Sequence, residues 1–281
     1  MERFAASRTA LATSLMRAAH TRLAPKPLID DPWGDRLVPE SVRGTMDDQA
    51  LLQSPAYANV ITRTRYAEDA LRIAVAKGVA QYVLIGAGFD SFALRRPPFA
   101  AALQIFEIDF PATQALKMER IDACGVPLPD SVHFIAADLA QQSVAAALAR
   151  SSFKPEQLTF FSWLGVTMYL TREANLATFK SISSCTPAGS EVVFTYFDER
   201  LFQAQSGSFR ELEQRVASVG EPFRSGFNPA FLAANLAQCG LELLEDLSGI
   251  DVVRRYDVGG ERGLGHSAFS HIALARVAPG A

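Results

Sequence analysis

From residue 82 to residue 196 the chain alternates short apolar runs with longer stretches whose apolar positions recur every three or four residues. The runs lie at 82–85, 103–108, 132–135, 158–163 and 191–196. Each has the length of a strand and the near-continuous hydrophobicity of one buried on both faces. Helical patterns separate them at 110–123, 143–150 and 171–184. This alternation predicts βαβ units and a parallel sheet. Upstream, Ala67, Ala70, Leu71, Ala74 and Val75 recur at i, i+3, i+4, i+7 and i+8, a buried helical face that Gly78 stops.

The two ends of the chain read differently. The first 24 residues hold Arg3, Arg8, Arg17 and Arg22 and a single acid, Glu2. A transit peptide has this composition. An amphipathic helix with Leu11, Leu15 and Ala18 on one face, covering a ligand site, is the preferred reading. Toward the other end, Ser208 and Glu211 have capping-box spacing ahead of Leu212, Val216 and Val219. Asn228-Pro229 starts another helix, which Gly240 ends. Strands are expected at 241–247 and 268–277, with a mobile loop or hairpin at 249–265, where five glycines fall. Phe202, Phe209, Phe223, Phe227 and Phe231 suggest an apolar lid or ordinary core.

Composition narrows the picture. A length of 281 residues suffices for one sizeable core, and nothing forces a division into two. The expectation is a single domain: an N-terminal helical cover over 1–80, a cofactor-binding core over 81–200, a helical substrate region over 201–240 and closing strands over 241–281. A net charge of −3 without a Lys/Arg run argues against nucleic acid as a partner. No apolar run approaches the roughly 20 residues that span a bilayer, so no membrane partner is expected. Cys124, Cys185 and Cys239 are scattered without zinc-site or disulfide spacing, which suits the cytoplasm. Four histidines make a His-rich metal site improbable. Nothing in the sequence speaks to oligomeric state.

The first strand runs into Gly86-Ala87-Gly88-Phe89-Asp90-Ser91. Glycine allows positive φ and close approach of a ligand to the backbone, and the helix beyond offers free N–H groups. A nucleotide-like ligand fits such a turn, and so does a mere tight connection. The second strand ends in Glu107-Ile108-Asp109, 23 residues after Gly86. An acid there accepts from ribose hydroxyls, and Asp109, just past the strand, is better placed than Glu107. Ala137-Asp138-Leu139 follows the third strand; Asp138 could accept from an adenine amino group with Leu139 against the ring, or cap a helix. A dinucleotide site prefers a third glycine where Ser91 stands. An adenosyl ligand therefore leads and NAD is the alternative.

Thr62-Arg63-Thr64-Arg65-Tyr66, the Gly86-Ala87-Gly88-Phe89-Asp90 turn, Glu107-Ile108-Asp109-Phe110-Pro111, Ala137-Asp138-Leu139 and Tyr169-Leu170-Thr171 occur in that order. Together they resemble the leucine carboxyl methyltransferase family over roughly residues 5–200. The resemblance implies a Rossmann-like class I methyltransferase fold: a mostly parallel seven-stranded sheet with an antiparallel last strand, helices on both faces, extra N-terminal helices and a helical lid. It implies S-adenosylmethionine as cofactor. Arg63, and with it Lys26, would meet the methionine carboxylate; Gly86 would lie beneath; Asp109 would hold the ribose; Asp138 and Leu139 would flank the adenine. One position departs. Family members often carry a glutamate five residues before the tyrosine, where this chain has Leu164. The implied reaction is O-methylation of a carboxylate or hydroxyl on a small, polyketide-like molecule. Tyr169, Tyr196 and Arg254 could position an acceptor, and His266 or His271 could act as a base for a phenol. A nicotinamide-dependent oxidoreductase and a non-catalytic S-adenosylmethionine-binding protein stay open as alternatives.

Overall fold

The computed structural model describes residues 7–203, 210, 213–214, 217–218, 220–265 and 270–280. Seven strands make one sheet in the order β3-β2-β1-β4-β5-β7-β6. β1 (Gln81–Ile85), β2 (Gln104–Asp109), β3 (Val132–Ala136), β4 (Thr159–Trp163) and β5 (Glu191–Phe197) run parallel. β7 (Ser270–Val277) lies antiparallel between β5 and β6 (Leu241–Ser248). The chain starts the sheet in its middle, builds outward to β3, then returns to the other side of β1 with β4. The strand order reverses between β1 and β4, and ligands of such sheets bind outside the carboxyl ends at that point.

Helices cover both faces. Val83, Ile85, Phe106, Phe161, Trp163 and Phe194 pack on one face with α7 (Val144–Leu148), α8 (Arg172–Ser184) and α10 (Pro229–Ala237). Tyr82, Leu84, Ile105, Phe160 and Val193 pack on the other with α4 (Tyr57–Ala76) and α11 (Gly249–Tyr256). Alternate residues of each strand thus serve opposite cores, which is why the sequence runs are apolar throughout. Short helices fill the connections: α2 (Glu40–Arg43), α3 (Asp48–Leu52), α5 (Phe92–Arg95) and α9 (Arg200–Gln203). α6 (Pro111–Ala123) joins β2 to β3. α1 (Arg8–Leu23) buries Leu11, Leu15 and Ala18 and packs with α3 and α4, as its apolar stripe predicts. Thr171 caps α8 by accepting from the Ala174 N–H, and Asn228 caps α10 ahead of Pro229.

Two sequence expectations change. Residues 249–265 are neither a hairpin nor structureless. They open with α11, whose Val252 and Val253 are buried. Ser248 Oγ caps it by accepting from the Asp251 N–H at 3.2 Å, a Ser-x-x-Asp signal that the neighbouring glycines overshadow. Asp257 then ties down the loop that follows, accepting from the Arg262 N–H at 2.7 Å and the Leu264 N–H at 2.9 Å. The aromatic cluster also divides: Phe227 is core, Phe202 and Phe231 are exposed, and Phe209 lies outside the described residues. So do Ser208, Glu211, Leu212, Val216 and Val219. Among the described residues no helix is long and apolar enough to cross a membrane.

Candidate active site

A cavity of about 610 Å³ opens at the carboxyl ends of β1 and β4, at the switch point. It is lined by Arg63 of α4, the Gly86–Asp90 turn, Asp109 at the end of β2 with Phe110 after it, and Leu164–Val166 after β4. Ser7, Thr9 and Ala10 at the start of α1 and residues 220–224 complete it. Chain segments more than two hundred residues apart meet there, where Thr9 Oγ1 donates to the Glu221 carboxylate.

The glycine turn is held from below. The Gly86 and Ala87 N–H groups both donate to Ile108 O, at 2.8 and 3.1 Å. Gly86 has φ 67°, and a Cβ there would stand 2.5 Å from Val166 Cγ2, so only glycine fits. Asp109 closes the turn: one carboxylate oxygen accepts from the Gly88 N–H and the other from the Phe110 N–H at 2.6 Å. Burial raises its pKa, and these two N–H groups pull the other way. The Phe89 carbonyl accepts from Arg17 Nη2 at 2.6 Å. Arg17 pairs with buried Asp31 at 2.8 Å, which fastens α1 to the turn. Burial would raise the Asp31 pKa, but the Arg17 and Arg95 guanidinium groups hold it below the usual carboxylate range.

Arg63 is the cation of the site. Burial pushes its pKa down to about 10. Its Nη1 donates to Asn59 Oδ1 at 3.2 Å, and it forms no ion pair with a described residue. Gly165 makes room for it. A Cβ on Gly165 would stand 2.7 Å from both terminal guanidinium nitrogens, and its φ of 72° suits glycine. Tyr169 lines the cavity beside Phe223, ring centroids 5.7 Å apart; burial raises its pKa, so the phenol stays protonated at neutral pH.

Of the residues singled out in the sequence, the structure brings Arg63, Gly86, Ala87, Gly88, Asp109, Leu164 and Tyr169 to this cavity. Others lie elsewhere. Lys26 is exposed and pairs with Glu261 at 2.9 Å. Arg254 is 75% exposed and faces Asp251. Tyr196 is fully buried; its hydroxyl donates to Asp246 Oδ2 at 2.7 Å and its ring stacks on His271. His271 in turn contacts Asp246 Oδ1 at 3.1 Å, so both are parts of a packed polar cluster between β5, β6 and β7. His266 lies outside the described residues. Asp138 accepts from the Ala140 N–H at 2.9 Å and from Gln141 Nε2 at 2.7 Å; neither it nor Leu139 lines the cavity. Sequence reasoning passed over Thr9, Gly165, Glu221 and Arg224, which do line it. Only Gly165 carried a signal, as a glycine two residues after a buried strand.

A model of the family described as "Leucine carboxyl methyltransferase" matches residues 10–183. YktD of Bacillus subtilis, whose name assigns it provisionally to the S-adenosyl-L-methionine-dependent methyltransferases, is 37% identical over 194 residues. The match covers 68% of this chain and 64% of that protein, so the chain spans somewhat under two thirds of this relative's length. Two solved structures share the fold across nearly the whole of both chains. A DUF574 family protein from Streptomyces avermitilis has a TM-score of 0.66 at 12% identity, covering 96% of this chain and 97% of its own. A protein from Thermobifida fusca, provisionally titled a methyltransferase, has a TM-score of 0.64 at 10% identity, covering 99% and 97%.

Proposed function

Because the chain belongs to the leucine carboxyl methyltransferase family, we propose that it moves a methyl group from S-adenosylmethionine to an oxygen of a small, apolar, polyketide-like acceptor, a carboxylate in preference to a hydroxyl. Arg63 carries this proposal. An enclosed guanidinium without a carboxylate partner is costly, so its place beside a glycine turn suits the anionic end of a ligand. A carboxylate can take both arms of that fork. Gly86, Ala87 and Gly88 would lie beneath the same end. Asp109 would receive the ribose hydroxyls on the lone pairs that its two N–H donors leave free. Asp138 and Leu139 follow β3 two and three residues past Ala136, which pairs with Asp109, and that adjacency supports an adenine contact. Lys26 would need to leave Glu261 to reach the carboxylate.

When bound, S-adenosylmethionine supplies a methyl group already activated on a sulfonium. The protein's part is therefore alignment and exclusion of water. Met168, Tyr169, Phe197 and Phe223 offer the acceptor an apolar wall, and Arg224 beside them offers it a cation. Tyr169, protonated at neutral pH, can donate a hydrogen bond to the acceptor. A carboxylate is already ionised at that pH and requires no base. The free thiols of Cys124, Cys185 and Cys239 support a cytoplasmic setting.

Release of S-adenosylhomocysteine, measured across a panel of alkyl and aryl carboxylic acids and phenols, tests the proposal. Ester formation with at least one acid is expected. Transfer to phenols alone would move the acceptor class to hydroxyls. Cofactor binding without transfer to any acceptor would favour a binding protein. Tight binding of NAD with none of S-adenosylmethionine would overturn the proposal.

A further inference from the structure

The cavity holds more charge than Arg63 alone calls for. Among the described residues three carboxylates line it: Asp90, Asp109 and Glu221. Asp109 is engaged through both oxygens, by the Gly88 and Phe110 N–H groups. Glu221, in the 220–224 segment, receives Thr9 Oγ1 on one oxygen. Asp90 belongs to the glycine turn itself. Its Oδ1 accepts from the Phe92 N–H at 2.7 Å, and its own N–H donates to Ala87 O at 2.9 Å, so backbone bonds on both sides fix its position. Its Oδ2 accepts no hydrogen bond from any described residue.

Asp90 and Arg63 do not pair, since no ion pair within 4.0 Å joins them. Each still feels the other, for Asp90 supports the charged form of Arg63 against the effect of burial. A cation and an anion that line one cavity without closing on each other match the two ends of an amino-acid zwitterion. Direct contact would neutralise both and leave the ligand nothing to exchange for. The segment after β4, Leu164-Gly165-Val166, lines the same cavity and brings no charge.

We infer that Asp90 receives the α-ammonium of the cofactor's methionine end, with Arg63 on the carboxylate, and so supplies the negative charge that Leu164 does not. The inference rests on the assignment of Arg63 made above. Its consequence is recognition of the whole zwitterion: both charged groups of the methionine end contribute to affinity, and a ligand missing either one binds less well.

Asp90→Asn isolates the charge. The amide oxygen can still accept from the Phe92 N–H, so the turn keeps its bond while the anion is lost. Calorimetry would compare three ligands: S-adenosylhomocysteine, its analogue without the α-amino group, and 5′-methylthioadenosine, which has neither charged group. A charge-assisted contact predicts that wild-type protein prefers S-adenosylhomocysteine over the deamino analogue by roughly ten- to a hundredfold. Asp90→Asn should remove that preference by weakening S-adenosylhomocysteine alone. Arg63→Met should weaken both carboxylate-bearing ligands and leave methylthioadenosine unchanged. Equal weakening of all three by Asp90→Asn, together with a lower Tm, would mean that Asp90 is only a turn-closing residue and would overturn the inference. Unchanged affinity for S-adenosylhomocysteine would overturn it too. Indifference of Arg63→Met to the carboxylate would remove its premise instead, which separates the two failures.

Discussion

Replacing Gly165 by alanine puts a methyl group into the space that the Arg63 guanidinium occupies. The new Cβ would stand 2.7 Å from Nη1 and from Nη2 and 2.9 Å from Cζ. Gly165 cannot easily retreat, because its N–H donates to Thr195 Oγ1 at 2.7 Å inside the sheet. Its φ of 72° adds about 1–2 kcal/mol of backbone strain for any residue with a Cβ. The flexible partner is the arginine, so Arg63 should swing aside. Loss of its charge-assisted contact to a ligand carboxylate costs about 1.5–3 kcal/mol, a weakening of roughly 10- to 150-fold. Calorimetric titration of Gly165→Ala with S-adenosylhomocysteine measures this directly. A thermal scan measures the strain separately, as a Tm lowered by about 2–4 °C per kcal/mol. Arg63→Lys is the companion variant, since it keeps the charge, loses the fork and should reproduce the binding loss without the backbone strain. Wild-type affinity in Gly165→Ala would refute the reasoning: either the methyl does not displace the guanidinium, or the guanidinium does not hold the ligand.

Asp109→Ala removes the acceptor under the glycine turn and the proposed ribose contact; cofactor affinity measured by calorimetry should fall at least about tenfold, as loss of a charged hydrogen-bonding group implies. Asp31→Asn leaves the Arg17 guanidinium buried without a counter-ion, and urea unfolding should show a loss of about 3–5 kcal/mol. His20 is fully buried: it accepts the Leu28 N–H on Nε2 at 2.8 Å, which leaves the Nδ1 proton to donate to the Tyr57 hydroxyl at 2.6 Å. Burial, aided by Arg262, lowers its pKa from 6.5 to about 4. The folded state thus resists a proton that the unfolded state takes up. Its contribution is complete above pH 6.5 and is lost as pH falls toward 4, by about 3 kcal/mol at about 1.4 kcal/mol per pH unit. Urea unfolding at pH 7.0 and 4.5 should show that loss in the wild type and a flatter profile in His20→Gln.

The sheet was legible because its residues report burial directly. Phe160 and Phe161 are both fully buried, one facing each core, and such a pair can hardly be anything but an inner strand. The glycine turn and Asp109 were legible because the spacing of strand ends puts them at one crevice; Arg63, on α4, was legible only through the family resemblance. Residues whose roles depend on tertiary partners were not. Tyr196 and His271 look like chemistry in sequence and prove to be a stacked pair on Asp246, since β7 inserts beside β5 and sets them side by side. Glu221 carries no local pattern; only the docking of its segment against α1 brings it to Thr9. The helix at 249–256 hid behind its glycines because flexibility is easier to read than a single Ser248 cap.

The strand order also constrains how the molecule is made. β6 is attached to the sheet only through β7, which of the seven strands is the last to leave the ribosome. Until residues 270–277 emerge, β5 presents a bare edge and β6 has no neighbour to pair with. Synthesis therefore leaves a waiting interval in which five parallel strands stand complete beside an unpaired border, the situation in which edges recruit foreign strands. A stop codon just ahead of Ser270 would remove not one strand but two. Loss of the β7 segment should thus be read out as aggregation, long before any question of turnover arises.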